Sequence, residues 1–292
     1  MEIKVNRLSK NYGKKTALSN VSVTIPAGMY GLLGRNGAGK TSLMRILATL
    51  SEPSEGEISI NGISIKETGR IREIVGYLPQ DFSFYRNMTV YEAMDYLGLL
   101  SDIPDKIRRE RTLSLLKQVS LEENMKTKVK ALSGGMKRRL GIAQALLHNP
   151  QVLIVDEPTA GLDPEERIRF RNMLSEFAEG RIVILSTHIS SDVESSCERI
   201  GVLDHGKMIW NGRTEELIKQ AEGKVYLVSA AKNQEKSIRE KYFVLNTAAS
   251  PAGNQYRILS DTVPEEKHIL QQPGLEDGYM YLLRQAGGGS KR

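Results

Sequence analysis

One segment of the sequence, Gly34–Thr41, has the residue types and the spacing needed to bind the phosphates of a nucleotide. Two of its glycines stand five residues apart, and a lysine and a threonine follow directly. Glycine lets backbone N–H groups curl around phosphate oxygens at a helix N-terminus, where the helix dipole also favours anions. Lys40 can then reach the β- and γ-phosphates, and the Thr41 hydroxyl can coordinate Mg²⁺. The residues expected to bind nucleotide here are Gly34, Arg35, Asn36, Gly37, Ala38, Gly39, Lys40, Thr41 and Ser42.

A second segment, Val152–Pro158, is an apolar run that ends in two carboxylates, Asp156 and Glu157. In an α/β nucleotide fold the carboxyl end of such a strand faces the ligand. Asp156 would then hold Mg²⁺, directly or through water, and Glu157 would lie near the γ-phosphate. Two acidic residues at a strand end can also form a plain loop, but their combination with a phosphate loop favours the nucleotide site.

A third segment opens a helix with Ser133, Gly134 and Gly135. Ser133 alone would be interpreted as an ordinary helix N-cap. The paired glycines are unusual at this place, because they expose backbone N–H groups to any group that docks on the helix end. The segment therefore predicts a second anion site as well as a cap. Farther along, Asp163 is a good N-cap for another helix, with Pro164 at the first helical position.

Strands and helices must position these residues, and the surrounding pattern predicts both. Met29–Leu33 is a short apolar run bounded by glycine, typical of a buried strand, and it leads into the phosphate loop. Apolar residues then recur at helical spacing from Leu43 to Leu50. Residues from about 82 to 150 are helical in character. We therefore expect an α/β core with a helical subdomain inserted between its two halves.

Composition and charge narrow the class of protein. With 292 residues, one large domain and a small one are expected, and no apolar run approaches the length of a membrane span. The net charge of +6 would suit nucleic acid, an anionic membrane surface or a nucleotide enzyme. Neither zinc-finger spacing nor an aromatic ribonucleoprotein motif accompanies the basic residues, so we expect no nucleic-acid partner. The single cysteine, Cys197, suits a reducing compartment and is assigned no role.

The motifs taken together resemble those of the ATP-binding-cassette (ABC) ATPases, the nucleotide-binding subunits of ABC transporters, over residues 1 to about 220. The motifs that carry the resemblance, in the family's order and approximate spacing, are the phosphate loop at 34–41, Gln80, the signature at 132–136, the acidic strand at 153–158, Ala160 to Asp163 and His188. Phosphate loops are widespread, but a Ser-Gly-Gly signature some twenty residues before an Asp-Glu-Pro strand is specific to this family.

The resemblance implies the fold class and the domain boundaries. The fold is α/β, a P-loop NTPase ABC cassette with a RecA-like core, an antiparallel β subdomain and an inserted α-helical subdomain, followed by a small C-terminal α+β appendage. The cassette covers residues 1–222, with the helical subdomain at about 82–150. The appendage covers residues 223–285, in which strand-like runs alternate with polar segments. Residues 286–292 form a flexible tail.

The resemblance also implies roles for single residues in ATP hydrolysis. Tyr12 matches the aromatic residue that stacks on adenine, and Gln80 matches the glutamine that senses Mg²⁺ and the attacking water. Glu157 matches the catalytic carboxylate that polarises this water, and His188 matches the residue that contacts the γ-phosphate. Lys40 carries much of the charge stabilisation. The residues expected at the metal are Thr41, Gln80 and Asp156.

In this family two cassettes pair head to tail. Ser133, Gly134 and Gly135 of one subunit are therefore expected to complete the ATP site of a second ABC ATPase subunit, and Asp163 is expected to couple the two sites. The second subunit can be an identical copy or a paralogue. Hydrolysis is expected to need this dimer.

The signature and the tail place the chain in a branch of the family. Met136 replaces the more familiar glutamine. Followed by Lys137, Arg138 and Arg139, it resembles the drug and antibiotic export branch, whose ATPase is a separate polypeptide. Pro273–Tyr279 resembles an element near the end of many ATPases of this branch. We expect a cytoplasmic subunit, peripheral at the cell membrane, that drives a separate transmembrane permease, with export as the direction. The alternatives are a soluble ABC ATPase with a non-transport role and a cassette that only binds nucleotide.

Overall fold

The computed structural model describes residues 1–158, 162–187, 190–250 and 253–287. The chain divides into two units, Met1–Asn211 and Gly212–Arg292. The strands in chain order are β1 (Glu2–Tyr12), β2 (Lys15–Pro26), β3 (Gly28–Leu33), β4 (Glu55–Ile60), β5 (Ile63–Ser64), β6 (Val75–Leu78), β7 (Val152–Asp156), β8 (Ile182–Ser186), β9 (Arg199–Asp204), β10 (Lys207–Arg213), β11 (Val225–Ala230), β12 (Phe243–Ser250), β13 (Gly253–Leu259) and β14 (His268–Leu270). The helices are α1 (Lys40–Leu47), α2 (Thr68–Ile74), α3 (Val90–Leu100), α4 (Asp105–Gln118), α5 (Gly134–Leu146), α6 (Pro164–Phe177), α7 (Ser190–Glu194), α8 (Thr214–Lys219), α9 (Glu235–Lys241) and α10 (Leu275–Ala286).

A six-stranded sheet with the order β10-β9-β3-β8-β7-β6 forms the centre of the first unit. Strands β9, β3, β8, β7 and β6 run parallel to one another. Every residue of β7 and β8 is buried, which agrees with their nearly continuous apolar sequences. Since parallel strands have their carboxyl ends at the same edge, the residues that follow β3, β8, β7 and β6 meet there.

A second, antiparallel sheet with the order β2-β1-β4-β5 packs over this core. Side chains alternate between buried and exposed along β1 and β2, as period-two strands with one solvated face require. Buried residues of both sheets and of α1 form one hydrophobic cluster, which includes Ile3, Val23, Leu43, Leu47, Ile154 and Ile184. This packing fixes the position of α1 beneath the loop that precedes it.

Helices α3, α4 and α5 form the helical subdomain predicted between β6 and β7. Thr89 caps α3 in a capping box: its hydroxyl accepts the Glu92 N–H at 3.2 Å, and the Glu92 carboxylate accepts the Thr89 N–H at 2.7 Å. The three helices share a core of their own, with Val90, Met94, Leu116, Leu140 and Leu147 among its members. The central sheet, the antiparallel sheet and the helical subdomain confirm the fold that the motifs predict. Among the described residues, none of the helices has the length and apolar character needed to span a lipid bilayer.

The second unit contains a four-stranded sheet with the order β12-β13-β11-β14, together with α8, α9 and α10. Asp277 ties the start of α10 to the sheet. Its carboxylate accepts the Gly274 N–H at 2.7 Å and pairs with Arg257, in β13, at 2.6 Å. Helix α8 packs against α10 inside this unit. The chain therefore divides after Asn211, whereas the sequence pattern groups α8 with the cassette.

Candidate nucleotide-binding site

The loop between β3 and α1 has the backbone shape that a phosphate cradle requires. Gly37 and Gly39 have φ angles of 81° and 110°, in the region that favours glycine. A side chain at Gly39 would also place its Cβ 2.6 Å from the carbonyl oxygen of Ala17. Gly39 is the N-cap of α1 and has no side chain to cap it, and the first turn of α1 contains no acidic residue. The N–H groups of this turn are therefore available to an anion.

The Lys40 side chain folds back over this loop and is only 5% exposed. Its ammonium donates to the carbonyl oxygens of Gly34 at 2.6 Å and of Arg35 at 3.3 Å. Burial lowers the pKa of Lys40, and the nearby carboxylates of Glu157 and Asp156 oppose this effect. The ammonium is thus held between the loop and the end of β7, where a phosphate would meet it.

The Asp156 carboxylate, at the end of β7, is 1% exposed. Its Oδ1 accepts a hydrogen bond of 2.6 Å from the hydroxyl of Ser186, at the end of the neighbouring strand β8. Its Oδ2 is buried and has no hydrogen-bond partner among the residues that the structure describes. A buried carboxylate oxygen without a partner costs free energy unless a cation or a metal-bound water satisfies it. This oxygen therefore fits a metal site completed by substrate phosphates, which is how proteins usually hold Mg²⁺.

Glu157 follows directly and has a φ of 47°, which is uncommon for a residue other than glycine. Its N–H donates to the carbonyl oxygen of Ser186 at 3.0 Å, so the pairing with β8 extends one residue past β7. Gln80, just after β6, donates from Nε2 to Oε2 of Glu157 at 3.4 Å. The ends of β6, β7 and β8 thus bring Gln80, Asp156 and Glu157 together with Lys40.

Tyr12, at the end of β1, lies beside the first turn of α1. Its hydroxyl is within hydrogen-bonding reach of Ser42 and Ser51, and the Lys10 ammonium lies 4.9 Å from the ring centroid. The ring is 47% exposed. An exposed aromatic ring at the edge of a phosphate loop is placed to stack on the base of a bound nucleotide.

The residues of the signature segment form a separate group. Ser133 is the N-cap of α5, and its hydroxyl accepts the Met136 N–H at 3.2 Å. Gly135 lies against the Glu166 carboxylate, since a Cβ on this glycine would be 2.5 Å from Oε2. The Glu166 N–H donates in turn to Oδ1 of Asp163, the N-cap of α6, at 2.8 Å.

Ser133 and Gly134 are exposed, so the N-terminus of α5 faces solvent. Within the described residues, no hydrogen bond joins this group to Gly34–Ser42. The structure thus brings the predicted residues together in two sets, one around the phosphate loop and one at the start of α5 and α6.

Comparison with known proteins decides the family. The family model described as ABC transporter matches residues 18–160. The uncharacterised ABC transporter ATP-binding protein YxlF of Bacillus subtilis is 36% identical over 83% of this chain and 81% of its own length. This chain belongs to the ATP-binding proteins of ABC transporters.

Two further relatives of this ABC ATPase are named for export or resistance. The linearmycin resistance ATP-binding protein LnrL of Bacillus subtilis is 35% identical, over 76% of this chain and 72% of its own. The Nod factor export ATP-binding protein I of Ralstonia nicotianae is 37% identical, over 74% of this chain and 68% of its own length.

Solved structures agree with the family. A structure of an ATP-binding subunit of an ABC transporter matches with a TM-score of 0.69 and 28% identity, over 75% of this chain and 93% of its own. A dimeric post-hydrolysis structure of the cassette MJ0796, bound to ADP and Pi, matches with a TM-score of 0.67 and 28% identity. The match covers 72% of this chain and 98% of that one. The ABC cassette of this chain therefore binds and hydrolyses ATP.

One predicted site residue of this ABC ATPase, His188, lies outside the described residues, as do Ala160 and Gly161. Two residues without a predicted role stand close to the site, namely Ser186 and Arg138. Ser186 precedes Thr187 and His188 at a strand end, which is the place where a site residue of a parallel sheet is expected. Arg138 lies in a basic run, and the residues that share its helix face, Gly141, Ile142 and Ala145, are the signal that could have shown its burial.

Proposed function

We propose that two copies of this ATPase enclose ATP between Gly34–Ser42 of one copy and Ser133–Gly135 of the other. The observation that supports the proposal is the separation of the two sets, each of which is an anion site left open on the surface of one chain. Both sets are present in this sequence, so two identical copies suffice for two complete sites. The relative MJ0796 is described as a dimeric cassette.

Within such a site, the N–H groups of the first turn of α1 and the Lys40 ammonium bind the β- and γ-phosphates. Glu157 accepts a proton from the attacking water as the water oxygen bonds to the γ-phosphorus. The bond from that phosphorus to the bridging oxygen breaks, and its electron pair leaves with ADP. Gln80 orients the water through its contact with Glu157, and His188, by family resemblance, contacts the γ-phosphate. The Tyr12 ring stacks on adenine.

Thr41, Gln80 and Asp156 are proposed to hold Mg²⁺ with the nucleotide. The unpartnered Oδ2 of Asp156 supports this assignment. When bound, Mg²⁺ would supply positive charge that neutralises the charge developing on the phosphates. The role of the protein is to keep the Asp156 carboxylate aimed at this place, which the hydrogen bond from Ser186 does.

Ser186→Ala tests this alignment. Without the hydroxyl, Oδ1 of Asp156 also loses its partner and the carboxylate is free to rotate. The factor by which Mg²⁺ increases the affinity for ATP should therefore be about tenfold smaller than in the wild type. Titration of a fluorescent ATP analogue, in Mg²⁺ and in EDTA, measures the difference directly. Ser175→Ala, on the exposed side of α6, is the control. An equal loss of affinity in EDTA would show that Ser186 does not act through the metal.

We also propose that the dimer drives a separate transmembrane permease from the cytoplasmic face of the membrane, with export as the direction. The export and resistance relatives support this role, as does the resemblance to the drug and antibiotic branch. A cavity of about 430 Å³ adjoins Gln80 and is lined by Phe82, Phe84 and Arg138 among others. Gln80 and residues of the helical subdomain line it together, so it offers a place where a permease helix could act on Gln80.

Purification from detergent-extracted membranes tests the permease. The chain is tagged and expressed in its native host, and the extract is compared with one from cells that express the tag on an unrelated ATPase. We expect one polytopic membrane protein to co-purify in a fixed ratio with the chain. Recovery of the chain alone, under conditions that preserve other ABC complexes, would instead favour a non-transport ATPase.

A further inference from the structure

Arg138 lies on the buried face of α5 and is only 8% exposed. Gly141, Ile142 and Ala145 are the buried residues that follow it on this face. Its guanidinium donates to the Gln80 carbonyl oxygen at 2.6 Å, to that of Asp156 at 3.1 Å and to that of Pro158 at 3.0 Å. It also donates to the carbonyl oxygen of Glu157. One side chain thus binds the backbone on both sides of the hydrolytic carboxylate.

These carbonyl groups lie at or just beyond the ends of β6 and β7. Strand β7 ends at Asp156, and Glu157 has a left-handed backbone conformation, so Arg138 binds the backbone where the regular strand stops. A guanidinium has five N–H donors in a rigid plane and can satisfy several carbonyl oxygens at once, whereas an ammonium is a compact point charge. No ion pair to a carboxylate anchors Arg138 among the described residues. The hydrogen bonds of its guanidinium therefore go to the backbone of Gln80 and of residues 156–158.

The surrounding packing holds the guanidinium in place. Gly141 lets Phe82 lie against α5, since a Cβ there would be 2.6 Å from the ring, and the Phe82 ring centroid is 5.7 Å from Cζ of Arg138. Gly76, in β6, similarly lets α5 approach the sheet through Ala145. The helix that begins with Ser133–Gly135 is thereby fixed, about one turn farther along, to the residues that carry out hydrolysis.

We propose that Arg138 is a positioning residue for hydrolysis, which holds the backbone of Gln80 and Glu157 in the relative placement that the attacking water requires. This inference rests on the proposed roles of Gln80 and Glu157. It predicts that loss of the guanidinium slows the chemical step and leaves ATP binding nearly unchanged, because none of its hydrogen bonds goes to the phosphate loop.

Arg138→Gln and Arg138→Lys test the inference, with Arg108→Gln as the matched control. Arg108 is also a buried arginine of the helical subdomain, but it binds Asp95 at 2.6 Å and the Ile103 carbonyl oxygen at 3.0 Å, within α3, α4 and their connection. We expect Arg138→Gln to lower kcat for ATP about 30- to 100-fold, as a misplacement near 1 Å does, with KM and the Kd of ATP within about threefold of wild type. Arg138→Lys keeps the charge without the planar fork, and we expect about a tenfold loss of kcat. Arg108→Gln lowers the melting temperature but leaves kcat within about threefold.

Four outcomes overturn the inference: wild-type kcat in Arg138→Gln, wild-type kcat in Arg138→Lys, a loss confined to KM, or equal losses of kcat in Arg138→Gln and Arg108→Gln. If Arg138→Gln does not fold, the Lys variant decides alone, through its kcat at an unchanged melting temperature. Glu157→Gln is measured in parallel. Normal turnover in Glu157→Gln refutes the proposed role of that carboxylate, whereas an inactive Glu157→Gln beside a fully active Arg138→Gln refutes only the inference about Arg138.

Discussion

Replacing Glu157 with glutamine is expected to stop ATP turnover while ATP stays bound. An amide of the same shape keeps the contact with Gln80 and the fold, but it cannot accept a proton from water. Because a positioned general base contributes about 10² to 10⁴ in rate, we expect kcat to fall at least about 100-fold while the Kd of ATP stays within about threefold. Steady-state phosphate release and ATP titration by calorimetry measure the two quantities.

The control for this variant is Glu179→Gln, an exposed carboxylate beyond the end of α6. It should match the wild type in both measurements. Normal phosphate release by Glu157→Gln would mean that another group accepts the proton, and the site would then need a different assignment.

Replacing Lys40 with alanine should instead remove ATP affinity itself. The ammonium is buried, is aimed by two carbonyl oxygens of the loop and lies where charged phosphate oxygens would accept hydrogen bonds. Hydrogen bonds to charged groups contribute about 1.5–3 kcal/mol each, so the loss of about 3 kcal/mol should weaken ATP binding about 150-fold. Titration with ATP in the presence of Mg²⁺ measures the change.

The matched control is Lys66→Ala, which removes an exposed ammonium outside the site. Because burial lowers the pKa of Lys40, its charge is held in the folded protein at a cost, and we expect no drop in the melting temperature of Lys40→Ala. An unchanged Kd of ATP in Lys40→Ala would contradict the assignment of Gly34–Ser42 as the phosphate site.

Local patterns predicted the parts of this protein that depend on neighbours in sequence. The glycines of the phosphate loop do adopt positive φ angles, and Ser133 and Asp163 do cap the helices that follow them. These features are encoded within a few residues, because a cap or a tight turn needs only its own side chain and the next turn of backbone.

Contacts between distant segments could not be derived in the same way. The bond from Ser186 to Asp156 depends on the pairing register of β7 with β8, which the separate strand sequences do not contain. Arg138 stands in a run of three basic residues that is typical of a solvated surface, yet the packing of α5 on the sheet turns it inwards. Gly141, Ile142 and Ala145 follow Arg138 at helical spacing, and all four residues are buried. This spacing is the pattern that distinguishes Arg138 from Lys137.

Each proposed ATP site is shared by two copies of the chain. Lys40→Ala disables the phosphate loop of a copy and leaves its Ser133–Gly135 intact. Gly135→Asp does the opposite, because a carboxylate at the start of α5 repels phosphate and has no room beside Glu166. In a mixed dimer of the two variants, one site combines both defects and the other combines both intact halves.

The measurement is ATP hydrolysis by an equimolar mixture of Lys40→Ala and Gly135→Asp chains, compared with each variant alone at the same total concentration. Since subunits exchange at random, about half of all dimers are mixed and each of these carries one intact site of two, so activity should recover to about a quarter of the wild-type value. A mixture that hydrolyses no more ATP than the average of the two separate variants would contradict the shared site.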